Sequence, residues 1–120
     1  TDTPLSFEAA NALPFLTANP RFIEPNYSEN IKITNKFRQL SKDLGVSAAS
    51  LSIAWLLSRG DNIIPIPGTR SKSHLKELVS SLEINMTNEL VNNIEEVLPI
   101  GWAHGERYSK AQWIGPELYC

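Results

Sequence analysis

Between two stretches of helical periodicity lies the run NIIPIPG, residues 62–68, apolar at every position from Ile63 to Pro67. A short apolar run bounded by turn residues predicts a strand covered on both faces, here Ile63 to Ile66. Pro65 and Pro67 bring no ladder N–H, which argues against a central position in a sheet. The run still governs the fold class, because helices before and after a buried strand are the pattern of α/β architecture.

The rest of the chain is read outward from it. Pro4, Pro14, Pro20 and Pro25 interrupt residues 1–27 and leave room for one short helix, Ser6 to Leu13. Ser28 is the expected N-cap of a first long helix, in which Ile33, Phe37, Leu40 and Leu44 recur at helical spacing and Gly45 supplies the stop. Ser47 is expected to cap a second helix to about Ser58. Its apolar residues, Leu51, Ile53, Ala54, Trp55, Leu56 and Leu57, point in nearly every direction, which predicts burial between layers. After the strand, a helix beginning near Ser71 carries Leu75, Leu78, Val79 and Leu82 on one face. LEIN, residues 82–85, reads as a second short strand. Thr87 caps a last helix with Leu90, Ile94, Val97 and Leu98 as its stripe, ended by Pro99.

This divides the chain into an irregular proline-rich lead-in (1–27), a region of helices and strands (28–98) and an aromatic-rich tail (99–120). The order helix, helix, strand, helix, strand, helix predicts right-handed parallel units. Two strands make a poor sheet, so the pattern reads as an arc of a larger barrel or open sheet.

Composition excludes more than it identifies. At 120 residues, 42% hydrophobic and 20% charged, the chain has the balance of one soluble globular domain. A net charge of −2 gives no general attraction for nucleic acid or an anionic membrane. No apolar run approaches the ~20 residues of a membrane helix and no signal peptide is visible, so cytosol is the expected compartment. Cys120, the single cysteine, allows no intrachain disulfide, and a prenylation site would need three residues after it. A chain that begins with Thr1 and holds only Met86 is expected to be part of a longer product. His74, His104 and Cys120 have no metal-ligand spacing. Glu95 and Glu96 are adjacent on a helix and diverge, so they read as a solvated face and not an acid/base pair. No G-x-S-x-G elbow is present.

The polar stretch GTRSKSH, residues 68–74, is where chemistry is expected. A helix starting near Ser71 presents free N–H groups and a positive dipole end, with hydroxyls from Thr69, Ser71 and Ser73 and charge from Arg70 and Lys72. Those groups could hold a phosphate at the carboxyl end of a strand, where α/β folds bind ligands. The same residues could equally be an N-cap with solvated charges around it. It is not a Walker loop, because no second glycine precedes the lysine.

The longer stretch LSIAWLLSRGDNIIPIPGTRSKSHLKELVSSLEINMTNELVNNIEEVLP resembles the last third of an aldo-keto reductase. AWLL followed by IPIPGTR is similar to that family's seventh strand and cofactor loop. LEINMTNELVNNIEEV is similar to its eighth strand and last barrel helix. GERYSKAQ resembles the tail of a microbial and plant subgroup, and NPRFIEPNYSEN the lead into the sixth helix. The resemblance covers residues 19 to 113. It implies an α/β fold, the C-terminal arc of a (β/α)8 TIM barrel that is mostly helical with two short parallel strands. It also implies an NADPH-dependent reductase of small-molecule carbonyl substrates, with NADP(H) as cofactor.

By the same resemblance, Pro67, Gly68, Thr69 and Arg70 meet the adenosine phosphate, Thr69 through its hydroxyl and Arg70 through its charge on the 2′-phosphate. His74 stands where relatives carry an adenosine-contacting residue, and Glu77 matches an acidic residue one turn later. Leu78 replaces the family's asparagine and cannot make that amide's hydrogen bonds. The family's catalytic aspartate, tyrosine, lysine and histidine belong to its first four strands, ahead of anything this chain resembles. No catalytic residue is therefore expected here, and Tyr27, Tyr108 and Tyr119 read as packing or surface residues.

Two alternatives stay beside this reading. LSKDLGVSAASLSIAWLL resembles a helix-turn-helix, but its second helix offers apolar side chains where DNA demands polar ones. A non-enzymatic remnant or interaction module would keep the segment without its chemistry. In either barrel reading, apolar faces that want cover are expected to make the isolated chain self-associate.

Overall fold

A computed structural model describes residues 3–114. Among them are six α-helices: α1 (Phe7–Asn11), α2 (Pro14–Thr17), α3 (Asn26–Asp43), α4 (Ala48–Leu57), α5 (Lys72–Val79) and α6 (Asn88–Val97). Two 3-10 turns, Pro20–Phe22 and Ser80–Glu83, complete the regular structure. Tyr119 and Cys120 lie outside the described residues. The described residues form two compact units, one of Asn35–Pro99 and one of Thr3–Thr34 with Ile100–Ile114. No helix among them is long and apolar enough to cross a membrane.

Side-chain caps set most of the helix ends. Ser6 accepts from the Ala9 N–H at 3.1 Å, Ser47 from Ser50 at 3.0 Å and Thr87 from Leu90 at 3.2 Å. Each satisfies one of the four N–H groups a helix start leaves free. Gly45 ends α3 as expected, with φ +71°. There the Gly45 N–H donates to the Lys42 carbonyl and the Val46 N–H to Ser41, both at 3.0 Å. That crossed pair is a Schellman ending, which needs a left-handed residue and so favours glycine. The start of α3 differs from expectation. It begins at Asn26, ahead of Ser28, and the Glu24 carboxylate accepts from both the Ser28 N–H (3.3 Å) and hydroxyl (2.7 Å). A carboxylate serves a helix start as well as a hydroxyl does, and its charge suits the dipole.

In the larger unit Phe37 of α3, Ala48 and Leu51 of α4 and Ile94 of α6 form the buried core, with Leu40, Val46, Trp55, Ile84, Met86, Leu90, Val97 and Leu98 packed around it. Of the expected stripes of α3 and α6, Phe37 and Ile94 are buried and Leu40, Leu90, Val97 and Leu98 are half-buried, whereas Leu44 is exposed and Ile33 lies outside this core. Helix α4 is not buried all round: Ala48, Ser50, Leu51 and Ala54 are covered, whereas Leu56 is exposed. Ser50 ties α4 to α5 by donating to the Glu77 carbonyl at 2.7 Å. Trp55 stacks beneath the Arg59 guanidinium (5.3 Å), which pairs with Glu95 at 2.8 Å.

Neither expected strand forms among the described residues. A strand completes its hydrogen bonds only on a neighbouring strand. Ile63 instead donates to the Gly60 carbonyl in a turn, and Pro65 and Pro67 have nothing to donate. Ile64 and Ile66 are 82% and 91% exposed. In LEIN, Leu82 and Glu83 belong to the second 3-10 turn, and Ile84 donates back to Ser81 at 3.3 Å. Leu82 also falls beyond α5, which buries none of its residues and leaves Leu75 and Val79 exposed.

In the smaller unit three asparagines anchor the tail and the lead-in. Asn19 is buried, accepts from the Arg21 N–H (3.1 Å) and donates to the Arg107 carbonyl (2.7 Å). The Asn30 amide binds the His104 backbone twice, donating to its carbonyl (2.9 Å) and accepting from its N–H (2.7 Å). Asn26 donates to the Pro20 carbonyl at 3.0 Å. Gly105 (φ +84°) passes so close that a Cβ would lie 2.9 Å from the Pro20 oxygen. Phe15, Tyr108 and Trp113 stack edge to face beside this segment. Lys32 hydrogen-bonds Glu29 at 2.6 Å and holds its carboxyl below the usual range, first by that bond and then by its charge.

The core makes a direct prediction. Leu51 is fully buried and Leu82 is 73% exposed. Leu51→Ala is expected to cost about 2–5 kcal/mol in chemical denaturation, and Leu82→Ala within about 0.5 kcal/mol of nothing.

Candidate functional site

The loop after the extended run folds back on itself through hydroxyls. The Ser71 N–H donates to Thr69 Oγ1 at 3.2 Å, a turn in which a side chain takes the place of a backbone carbonyl. Ser71 then caps α5: its Oγ accepts from the His74 N–H at 3.4 Å and lies 2.7 Å from Ser73 Oγ. Its carbonyl accepts the first helical bond, from Leu75, at 3.0 Å. The capping reading of this stretch is therefore present in the structure. The cap consumes one orphan donor, and the N–H groups of Lys72 and Ser73 precede the first helical bond.

Four of the six expected site residues converge. Gly68, Thr69, Arg70 and His74, together with Ser71, line one hollow of about 680 Å³. Arg70 and His74 are exposed and Thr69 is half-buried. Pro67 is exposed and precedes the hollow without forming its wall. Glu77 goes elsewhere, into a second hollow with Ser47, Ser50, Ser80 and Glu83. Its carbonyl is fixed there by the Ser50 and Ser80 hydroxyls, at 2.7 and 2.6 Å. Leu78 is half-buried.

Charge follows the same division. The first hollow has Arg70 and His74 in its wall and no carboxylate, while Glu77 and Glu83 both line the second. A guanidinium and forward N–H groups are donors matched to an anion, while the Thr69 hydroxyl donates to the Ser71 carbonyl at 3.4 Å. Among the described residues no group of His, Cys, Asp and Glu could hold a metal ion. Helix α4 offers nothing to a phosphate backbone, since its ten residues carry no charge and Arg59 beyond it pairs with Glu95. Ser50, whose hydroxyl bridges α4 to α5, was not singled out in the sequence. Its signal was a serine standing among the apolar residues of α4.

Because the cap organises the loop, Ser71→Ala is expected to cost about 0.5–2 kcal/mol. Amide hydrogen exchange should speed up in the first turn of α5 while α6 keeps its protection.

The Aldo/keto reductase family model matches residues 3–99. Over 89 residues the chain is 32% identical to an aldo-keto reductase of Schizosaccharomyces pombe named for NADP(+), covering 74% of this chain and 26% of that protein. Over 93 residues it is 33% identical to a probable aldo-keto reductase of Glycine max, covering 78% and 27%. An aldo-keto reductase of Gibberella moniliformis is 28% identical over 91 residues. The chain spans about a quarter of the length of these relatives. No solved structure matches it. On the extent of the family match, and on two relatives above 30% identity across some three quarters of its length, the chain belongs to the aldo/keto reductase family.

Proposed function

We propose that residues 67–74 form the adenosine-phosphate side of an NADP(H) site, within the C-terminal arc of a carbonyl-reducing aldo-keto reductase barrel. The observation that carries this reading is the convergence of Gly68, Thr69, Arg70 and His74 on one hollow free of carboxylates. The name of the fission-yeast relative supports NADP(H) over other anionic ligands. Thr69 would donate its hydroxyl and Arg70 would meet the 2′-phosphate, with the Lys72 and Ser73 N–H groups behind them. The cofactor, when bound, supplies the hydride for a small-molecule carbonyl. In this reading Ile63–Ile66 and residues 82–85 pair as strands within a complete barrel, and the catalytic groups come from outside these 120 residues.

The 2′-phosphate brings up to two negative charges, and a charge-assisted contact to it is worth about 1.5–3 kcal/mol. Arg70→Ala in the full-length protein is expected to weaken NADP(H) about 10- to 100-fold and NAD(H) little, read by titration of both cofactors. Equal losses would mean that Arg70 only supports the loop. The 120 residues alone, given NADPH and a panel of aldehydes, are expected to show no turnover above background; steady turnover would overturn the assignment of the catalytic groups elsewhere.

We also propose that the isolated chain self-associates through Ile64, Ile66 and Leu82, each more than two thirds exposed. Sedimentation should show oligomers that Ile64→Lys/Ile66→Lys disperses. A monodisperse monomer with a sharp melt would overturn this.

A further inference from the structure

We infer that the end of α3 and the acidic hollow beside it form one self-complementary face, through which two copies of the full-length protein pair about a twofold axis. The inference goes beyond the cofactor reading and uses none of residues 67–74. It starts from two hollows of the Asn35–Pro99 unit that meet at Gly45 and Val46, which line both. One, of about 510 Å³, has Arg38 and Lys42 in its wall beside the amides of Asn35 and Gln39, and no carboxylate. The other, of about 590 Å³, has Glu77 and Glu83 and no cation. Arg38 holds Asn35 Oδ1 at 2.9 Å, a neutral partner that leaves its charge in place. The ion pairs among the described residues are Lys32–Glu29 and Arg59–Glu95, so the charges of the two hollows do not neutralise one another.

Half a turn about an axis through the Gly45–Val46 boundary exchanges the two sides of this face. A second copy so placed lays its acidic hollow over the cationic one and its cationic hollow over the acidic one, the reciprocity an isologous interface requires. This selects the occupant. A partner of one sign would match one hollow and be repelled by the other, whereas a second copy matches both. The boundary also permits close approach, because a Cβ added at Gly45 would meet nothing within 4 Å. Beside it Leu44, 45% exposed, lines the acidic hollow with Ile84 and Leu90. The face thus has an apolar centre between charged flanks, as protein interfaces do. Exposed ion pairs contribute little singly and are screened by salt, so the dimer is weak and its charges chiefly set its register.

The test uses the full-length protein, because the isolated chain has a second route to association in Ile64 and Ile66. Lys42 and Glu83 are both exposed, so reversing either charge should leave the melting temperature near that of wild type. Sedimentation equilibrium is run on wild type, Lys42→Glu, Glu83→Lys and an equimolar mixture of the two variants, at about 50 and about 500 mM salt. Wild type should dimerise, with a Kd that rises about fivefold or more at the higher salt. Each reversal alone should raise the Kd about tenfold, since the symmetry places it in the interface twice. The mixture should form a mixed dimer within about twofold of the wild-type Kd, because both reversed contacts are then attractive again. Where a reversal lowers the melting temperature, Lys42→Gln and Glu83→Gln replace the pair, each expected to raise the Kd about threefold. A monomer at low salt, a dimer indifferent to these substitutions, or reversals that mixing does not rescue would each overturn the inference. Titration of both cofactors against Arg70→Ala is untouched by any of these outcomes.

Discussion

Every peptide group carries a donor and an acceptor that must be paired, and a helix can pair them within itself whereas a strand cannot. This constraint sorts the whole chain. Each segment with helical periodicity and a local cap is ordered: α3 with its Schellman ending, α4 on Ser47, α5 on Ser71 and α6 on Thr87. Each segment that would need a distant partner takes another course. Leu82 and Glu83 lie in a 3-10 turn, and the Ile84 N–H donates back to the Ser81 carbonyl. The run from Ile63 to Pro67, with two prolines, forms no regular element.

The energetic consequence falls on the apolar side chains. Burying an isoleucine is worth about 1.5–3 kcal/mol, and Ile64 and Ile66 collect almost none of it in this structure. Leu51 and Ile94 collect nearly all of theirs, because α3, α4 and α6 can bring their stripes together with no sheet between them. Helix α4 shows the division along one element. Its face around Leu51 and Ala54 is covered by the other helices, while Leu56 lies open although the helix is apolar all round. Three helices cover one side of a helix; two-sided cover needs a second layer.

The same distinction decides what the sequence made legible. Caps and stops are chemistry within four residues, so Ser6, Gly45, Ser47, Ser71 and Thr87 could be read from their neighbours alone. Ser28 misled because the acceptor at that helix start is the carboxylate of Glu24, four residues earlier. The strands at 63–66 and 82–85 misled because apolar pattern reports a preference for burial, not the presence of a partner. The tail was opaque for a third reason. Its anchors are asparagine amides bonded to backbone 74 and 88 positions away, which leave no period in the sequence. In the candidate site, the four residues on the loop and first turn line one hollow. Glu77, nearly a turn beyond His74, does not, since the hydroxyls of Ser50 and Ser80 hold its carbonyl beside the other hollow.

The two readings of GTRSKSH were never exclusive, and the geometry shows why. A cap uses one of the free N–H groups at a helix start and fixes the conformation of the residues just before it. Here Ser71 takes the His74 N–H while its own N–H is held by Thr69, so the turn from Thr69 to Ser71 is held by the chain's own hydroxyls. Arg70 lies inside that turn. A loop ordered by its own hydroxyls loses less freedom when an anion binds, which is how preorganisation contributes to affinity. In the proposed reading the capping role of Ser71 is a condition of the binding one: its hydroxyl and that of Thr69 hold the turn that would present the arginine and the histidine.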